Sequence, residues 1–336
     1  MKRIIICCDG TWNSPDESTN GMACPTNVAK IAQLVTPTGT DAEGNPIDQV
    51  VYYHEGVGTG NEVDKIAGGA FGVGLSDDIE HCYRFLINNY NDGDELFLFG
   101  FSRGAYMARS LVGLIHNSGL LTKKHSDKCG FAYQIYKDRS EVTNADAPIA
   151  IAFRQECCWP SISIKFLGVW DTVGALGVPD FVLSKLLGNQ WSFHDISLSP
   201  IVKSASHALA VDEKREDFKP SPWDKANDAN FQQVWFAGVH SDIGGGYPET
   251  GLSDVTLDWM IKRAQAQGLN LDLTVLSIVP SPTNMLHNSK TGMFALKPDY
   301  NRAIDPQVLH TSVKQRKDTA GTNYNPPNWP ANPTFV

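Results

Sequence analysis

The segment Leu96-Phe97-Leu98-Phe99-Gly100-Phe101-Ser102-Arg103-Gly104-Ala105 constrains this chain more than any other. An apolar run of strand length enters a Gly-x-Ser-x-Gly turn. Ala105, Ala108, Leu111, Val112 and Ile115 then recur at helical spacing up to a stop at Gly119. A serine between strand and helix on so sharp a turn takes strained backbone angles. Side chains two positions before and after it would collide, which accounts for Gly100 and Gly104. The turn exposes the Ser102 hydroxyl and aims a helix N-terminus at negative charge developing beside it. Ser102 is therefore the candidate nucleophile.

A serine hydroxyl needs a base, and the base needs an orienting acid. Two further apolar strands end in ionisable residues. Ile162–Trp170 runs into Asp171-Thr172, and Val234–Val239 runs into His240-Ser241-Asp242. Ser102, Asp171 and His240 thus fall at three successive strand ends, in the chain order Ser, Asp, His. His207 in Ala205–Ala210 reads as a packed histidine in mid-helix, and His310 precedes Thr311-Ser312 in a C-terminal segment. Both are rival bases that the strand-end argument disfavours.

The oxyanion of such a site needs two donors. The Arg103 N–H comes with the turn, and the loop Asp9-Gly10-Thr11 after the first strand offers Gly10 or Thr11 N–H, with Asp9 holding the loop. Asp242 joins Asp9, Gly100 and Gly104 as a supporting residue. Asp9-Gly10-Thr11 also invites comparison with phosphatases that carry Asp-x-Asp-Gly-Thr. Cys7 stands at their nucleophile position, which removes both the nucleophile and a magnesium ligand. Asp9, Asp242 and Asp254 have no spacing that demands a metal, and no cofactor is expected. Gly56–Gly60 lacks the third glycine of a dinucleotide loop, and Gly68–Gly74 lacks the Lys-Ser/Thr of a P-loop.

Around these motifs, short runs apolar on both faces (Ile4–Cys8, Gln49–Tyr53, Glu95–Phe101) alternate with helical patterns. One helix is capped by Ser76 and another by Ser253. The alternation predicts an α/β fold with a mostly parallel central sheet and helices on both faces. Residues 1–336 are read as one domain. Residues 119–160, polar and irregular, and 178–230, with the apolar cluster Phe181, Val182, Leu183, Leu186, Leu187, Trp191 and Phe193, are read as inserted segments covering the site. The chain after Pro298 reads as loose, with 320–336 an extended Pro-rich tail.

Composition excludes several classes. The net charge is −9 and no Lys/Arg run exceeds two, which argues against nucleic acid and against a polybasic membrane tether. The five-residue apolar run at 4–8 is too short for a secretory signal, and no run approaches a membrane span. The 7 cysteines are odd in number and lack zinc spacing, so they read as buried free thiols. The expectation is a cytoplasmic protein without integral membrane association; its oligomeric state is left open.

Four motifs in this order carry a resemblance: Cys8-Asp9-Gly10-Thr11-Trp12-Asn13, Gly100-Phe101-Ser102-Arg103-Gly104-Ala105-Tyr106, Gly168-Val169-Trp170-Asp171-Thr172-Val173, and Trp235–Tyr247 with His240-Ser241-Asp242. The chain resembles a large α/β-hydrolase family that includes the catalytic domains of type VI secretion phospholipase effectors. The resemblance covers most of residues 1–315. It implies the α/β-hydrolase fold and an esterase or lipase site in which Ser102, Asp171 and His240 act. The effectors are longer, with a membrane-facing module for which this chain has no room. The expected substrate is therefore a small lipophilic ester. A phospholipase acting on membrane lipids is the alternative, and a catalytically idle binding module that kept the fold is the rival of another class.

Overall fold

The computed structural model describes residues 1–10, 18–19, 21–56, 70–138, 140–174, 197–224 and 227–336. The strands are β1 (Lys2–Cys8), a small antiparallel hairpin of β2 (Ser18–Thr19) and β3 (Met22–Ala23), β4 (Thr38–Thr40), β5 (Pro46–His54), β6 (Glu95–Phe101), β7 (Ile164–Trp170), β8 (Ala205–Ala210), β9 (Phe231–Phe236), β10 (Val308–Leu309) and β11 (Thr334–Phe335). Outside the hairpin they form one nine-stranded sheet in the order β11-β10-β9-β8-β7-β6-β1-β5-β4. All pairings in it are parallel except the edge pair β4–β5.

Strand alternation divides the core. Ile4, Ile6 and Cys8 of β1 and Leu96 and Leu98 of β6 face one side, with α2 (Ala70–Asn89), α3 (Arg103–Ser118), α4 (Cys129–Asp138) and α5 (Pro148–Cys157) packed there. Ile5, Cys7, Phe97, Phe99 and Phe101 face the other, against α1 (Asn27–Leu34) and, further along the chain, Val255, Trp259 and Met260 of a helix at Gly251–Gln265. Each such side chain contributes roughly 1.5–3 kcal/mol by leaving water. A strand that serves two helix layers has no face to give to water, which is why β1 from Ile4 and β6 from Leu96 lack polar alternation. This is the α/β-hydrolase fold.

Several expectations are corrected by packing. His207 lies in β8, not in a helix, so the segment 178–230 contributes a fully buried strand to the sheet. It follows that β7 and β9 are not adjacent, and the ends carrying Asp171 and His240 have β8 between them. Residues 119–160 are largely helical rather than irregular; Ala132, Ile135, Ala150 and Phe153 join the core under α3. Helix α2 begins at Ala70, so Ser76 lies inside it. The Gly251–Gln265 helix likewise starts before Ser253. The chain beyond Pro298 is not loose: it supplies β10, β11 and the buried Arg302. The apolar cluster 181–193 lies outside the described residues. Among the described residues no helix is long and apolar enough to cross a membrane.

Candidate active site

The carboxyl ends of three parallel strands converge. Ser102 leaves β6 at φ 58°, ψ −122° and α3 starts with the next residue. A Cβ on Gly100 would fall 2.5 Å from the Gly104 carbonyl oxygen, and one on Gly104 would fall 2.1 Å from that of Cys8. No side chain fits at either position, so both glycines are required by close approach. Asp171, just after β7, is also left-handed at φ 38°. Positive φ is rare outside glycine and costs on the order of 1–3 kcal/mol. Two of the three non-glycine cases among the described residues, Ser102 and Asp171, are at this site.

Beyond β9, Val239 precedes the short helix α6 (His240–Gly244), whose first residue is His240; the Gly251–Gln265 helix that follows is α7. The imidazole of His240 lies between the two strained residues, with Nε2 2.8 Å from Ser102 Oγ and Nδ1 2.6 Å from Asp171 Oδ2. All three side chains are buried. Phe101 and Phe218 flank the ring at centroid distances of 4.6 and 4.9 Å. The His240 N–H donates to Glu213 Oε2 at 3.1 Å.

Burial alone would drive the Asp171 carboxyl up. The Arg302 guanidinium, paired with both its oxygens at 2.6 and 3.0 Å, and the His240 ring reverse this and hold it well below the ordinary carboxylate range. The Ala210 N–H adds a bond to Asp171 Oδ1 at 3.0 Å. For His240 the balance goes the other way. Burial lowers its pKa below the usual histidine value despite the opposing Asp171 carboxylate. The arrangement presents a neutral imidazole to the serine and an ionised carboxylate behind it.

The supporting residues are placed as follows. Arg103 is the first residue of α3, where N–H groups have no acceptor within the helix. Burial lowers its guanidinium to about 10. Asp9 accepts from Thr26 Oγ1 at 2.5 Å and Tyr53 OH at 2.6 Å, which ties the end of β1 to α1 and β5. The Gly10 N–H donates to Asp9 Oδ1 at 2.6 Å. Thr11 lies outside the described residues. Asp242 accepts from the Val239 N–H at 3.0 Å and pairs with His287 Nδ1 at 2.6 Å, bracing the turn that carries His240. Asp9, Asp242 and Asp254 each have partners of their own, Asp254 being paired with Lys30 at 2.7 Å.

The rival histidines are engaged elsewhere. His207 Nε2 accepts from the Thr172 N–H at 3.2 Å and Nδ1 faces Gln233 Oε1 at 3.1 Å. Burial pushes its pKa down to about 3. His310 caps α8 (Thr311–Asp318) and stacks on Phe236. Sequence reasoning missed Arg302, Glu213 and His287. Each lies in a segment with no periodicity or motif, and each acts through a contact that spans at least 27 residues.

The chain is similar to several known proteins. The chain is 28% identical over 238 residues to the uncharacterized protein YEL023C of Saccharomyces cerevisiae, covering 65% of this chain and 32% of the relative. It thus spans about a third of that protein's length. An uncharacterized protein from Pseudomonas aeruginosa aligns with 80% of this chain and 46% of its own, at 20% identity and TM-score 0.49. The Tle1 effector bound to the VgrG spike of the type 6 secretion system aligns with 83% of this chain and 76% of its own, at 15% identity and TM-score 0.49. Residues 2–263 match the model of the T6SS phospholipase effector Tle1-like catalytic domain. Four motifs in register, the sheet that orders them and this match agree: the chain belongs to the family of Tle1-like catalytic domains of type VI secretion phospholipase effectors.

Proposed function

We propose that this protein is a serine hydrolase that cleaves carboxylic esters through an acyl-Ser102 intermediate. The hydrogen-bonded chain from Ser102 Oγ through His240 to Asp171, built on a strained turn, is the observation that carries the reading. In the first half-reaction His240 Nε2 takes the Ser102 proton as Oγ bonds to the substrate carbonyl carbon. The resulting oxyanion collapses, the C–O bond to the alcohol breaks, and His240 returns its proton to the leaving alkoxide. Water then repeats the sequence on the acyl-enzyme and releases the acid. Asp171 holds the imidazole tautomer and stabilises the imidazolium.

The oxyanion donors are the Arg103 N–H and the N–H of Gly10 or Thr11. Because the Gly10 N–H is directed to Asp9, Thr11 is the better second donor. The substrate is a lipophilic ester dissolved as a monomer, bound through the apolar cluster at 181–193; each buried methylene adds about 0.8 kcal/mol. A net charge of −9 opposes anionic lipid surfaces. The family's description favours a second reading, a phospholipase, in which the half-buried Arg103, next in the chain to Ser102, would receive a lipid phosphate.

A fluorophosphonate probe tests the chemistry: labelling of wild type and not of Ser102→Ala is expected, and an unlabelled wild type overturns it. Turnover of p-nitrophenyl esters of graded chain length, against phospholipid vesicles at equal acyl concentration, tests the substrate. Faster turnover of vesicles replaces the first reading by the second.

A further inference from the structure

Away from Ser102, three metal-ligating side chains meet where β5 ends against α2. His54 is the last residue of β5. Asp78 and His81 lie one helical turn apart on the same face of α2. One ligand atom from each lies within 4.8 Å of the other two. We propose that His54, Asp78 and His81 form a binding site for a divalent first-row transition ion, with zinc the best fit.

Four features support this. His54 Nε2 and Asp78 Oδ1 are 3.3 Å apart. Two ligands each 2.0–2.1 Å from a tetrahedral zinc ion are separated by about 3.3–3.4 Å, so this pair already has the required spacing. His54 Nδ1 faces the Glu55 carbonyl oxygen at 2.7 Å. A carbonyl there holds a proton on Nδ1, the usual outer-shell arrangement of a ligating histidine, so a metal would take Nε2 and replace the proton that this nitrogen shares with Asp78. Asp78 Oδ2 is buried and has no hydrogen-bond partner among the described residues, although a buried carboxylate oxygen ordinarily finds one. His81, whose ring lies 6.4 Å from that of His54 at 25°, is exposed, so it provides both an entry route and a ligand free to rotate inward.

Two imidazoles and one carboxylate suit a borderline ion such as zinc rather than calcium or magnesium, which take oxygen ligands. Three protein ligands leave the remaining position to water. The bound ion would tie the end of β5 to α2, one residue from Tyr53, which holds Asp9.

Calorimetric titration of the chelator-treated, tag-free chain with Zn²⁺ tests the site. One equivalent should bind, with Ca²⁺ and Mg²⁺ far weaker, and saturating Zn²⁺ should raise the melting temperature. His81→Ala, an exposed change that leaves the fold intact by circular dichroism, and Asp78→Asn should each weaken binding about 100-fold or more, at least as much as loss of an outer-shell partner does. Both should abolish the thermal shift, and His125→Ala should change neither. Absence of Zn²⁺ uptake by wild type, wild-type affinity in either ligand variant, or tighter binding of Ca²⁺ than Zn²⁺ overturns the proposal.

Discussion

His240 and His207 are both buried, and each bridges two partners, one per ring nitrogen. They differ in what the partners are. His207 sits between a backbone N–H and a side-chain amide, both neutral, and no carboxylate hydrogen-bonds to its ring. Burial of its imidazolium and repulsion from the Arg109 guanidinium outweigh the attraction of Asp171, so its pKa falls to about 3. His240 faces an ionised Asp171 and a hydroxyl that can give up a proton. Burial lowers the pKa of both rings, and what sets the proposed base apart is the carboxylate hydrogen-bonded to it.

The largest expected effect tests that contrast at the nucleophile. Ser102→Ala should lower ester turnover by ~10⁴-fold or more with an unchanged circular dichroism spectrum. His240→Ala should be as damaging, and the double variant hardly worse, because the pair works as a unit. If His207→Ala stops turnover in a folded protein and His240→Ala does not, the contrast is inverted.

Arg302 supplies the next test. It is fully buried and holds both Asp171 oxygens. Arg302→Met removes the positive charge that keeps Asp171 ionised. Breaking such a pair should cost about 3–5 kcal/mol of stability in urea unfolding. Where the variant folds, kcat should fall while KM changes little.

The pH profile follows from the same charges. His240 must be neutral to act as base, and its pKa in the free enzyme lies below the ordinary histidine value. The acidic limb of kcat/KM should therefore lie below pH ~6.5. In Arg302→Met it should move to higher pH, since a lost positive charge favours the imidazolium. A limb that stays in place would detach Arg302 from the titration.

The smallest effect concerns His207 and stability. Its folded pKa of about 3 lies below the unfolded value, so the unfolded chain binds the extra proton as pH falls. Stability contributed by the neutral ring is complete above pH ~6.5. It is lost toward pH 3 at up to about 1.4 kcal/mol per unit. His207→Gln should flatten this slope in urea unfolding measured between those pH values, while kcat changes by less than ~10-fold. An unchanged slope would mean that other groups dominate acid sensitivity.

Legibility in the sequence followed the range of the interactions. The β6–Ser102–α3 turn could be read because its constraints lie within ten residues. Asp171 and His240 were readable as ionisable residues ending apolar strands. The helical reading of Ala205–Ala210 failed because five small or apolar residues around one histidine have no decisive period. The strand is set by pairing with β7 and β9 on either side. The polar stretch 119–160 hid two helices that pack on α3.

The residues of this chain determined by themselves where a nucleophile could stand, since only glycine tolerates the approach of backbone at positions 100 and 104. They also determined that a sheet covered on both faces would form, since β1 and β6 have no polar side to give to water. Tertiary structure alone decided which neutral partners His207 meets, that Arg302, 131 residues from Asp171, holds its carboxylate, and that the Gly10 N–H is directed to Asp9. The physical reason is the same in each case. A pKa or a hydrogen bond at a buried site depends on charges and dipoles within a few ångströms, and which of them arrive there is settled only when distant segments pack together.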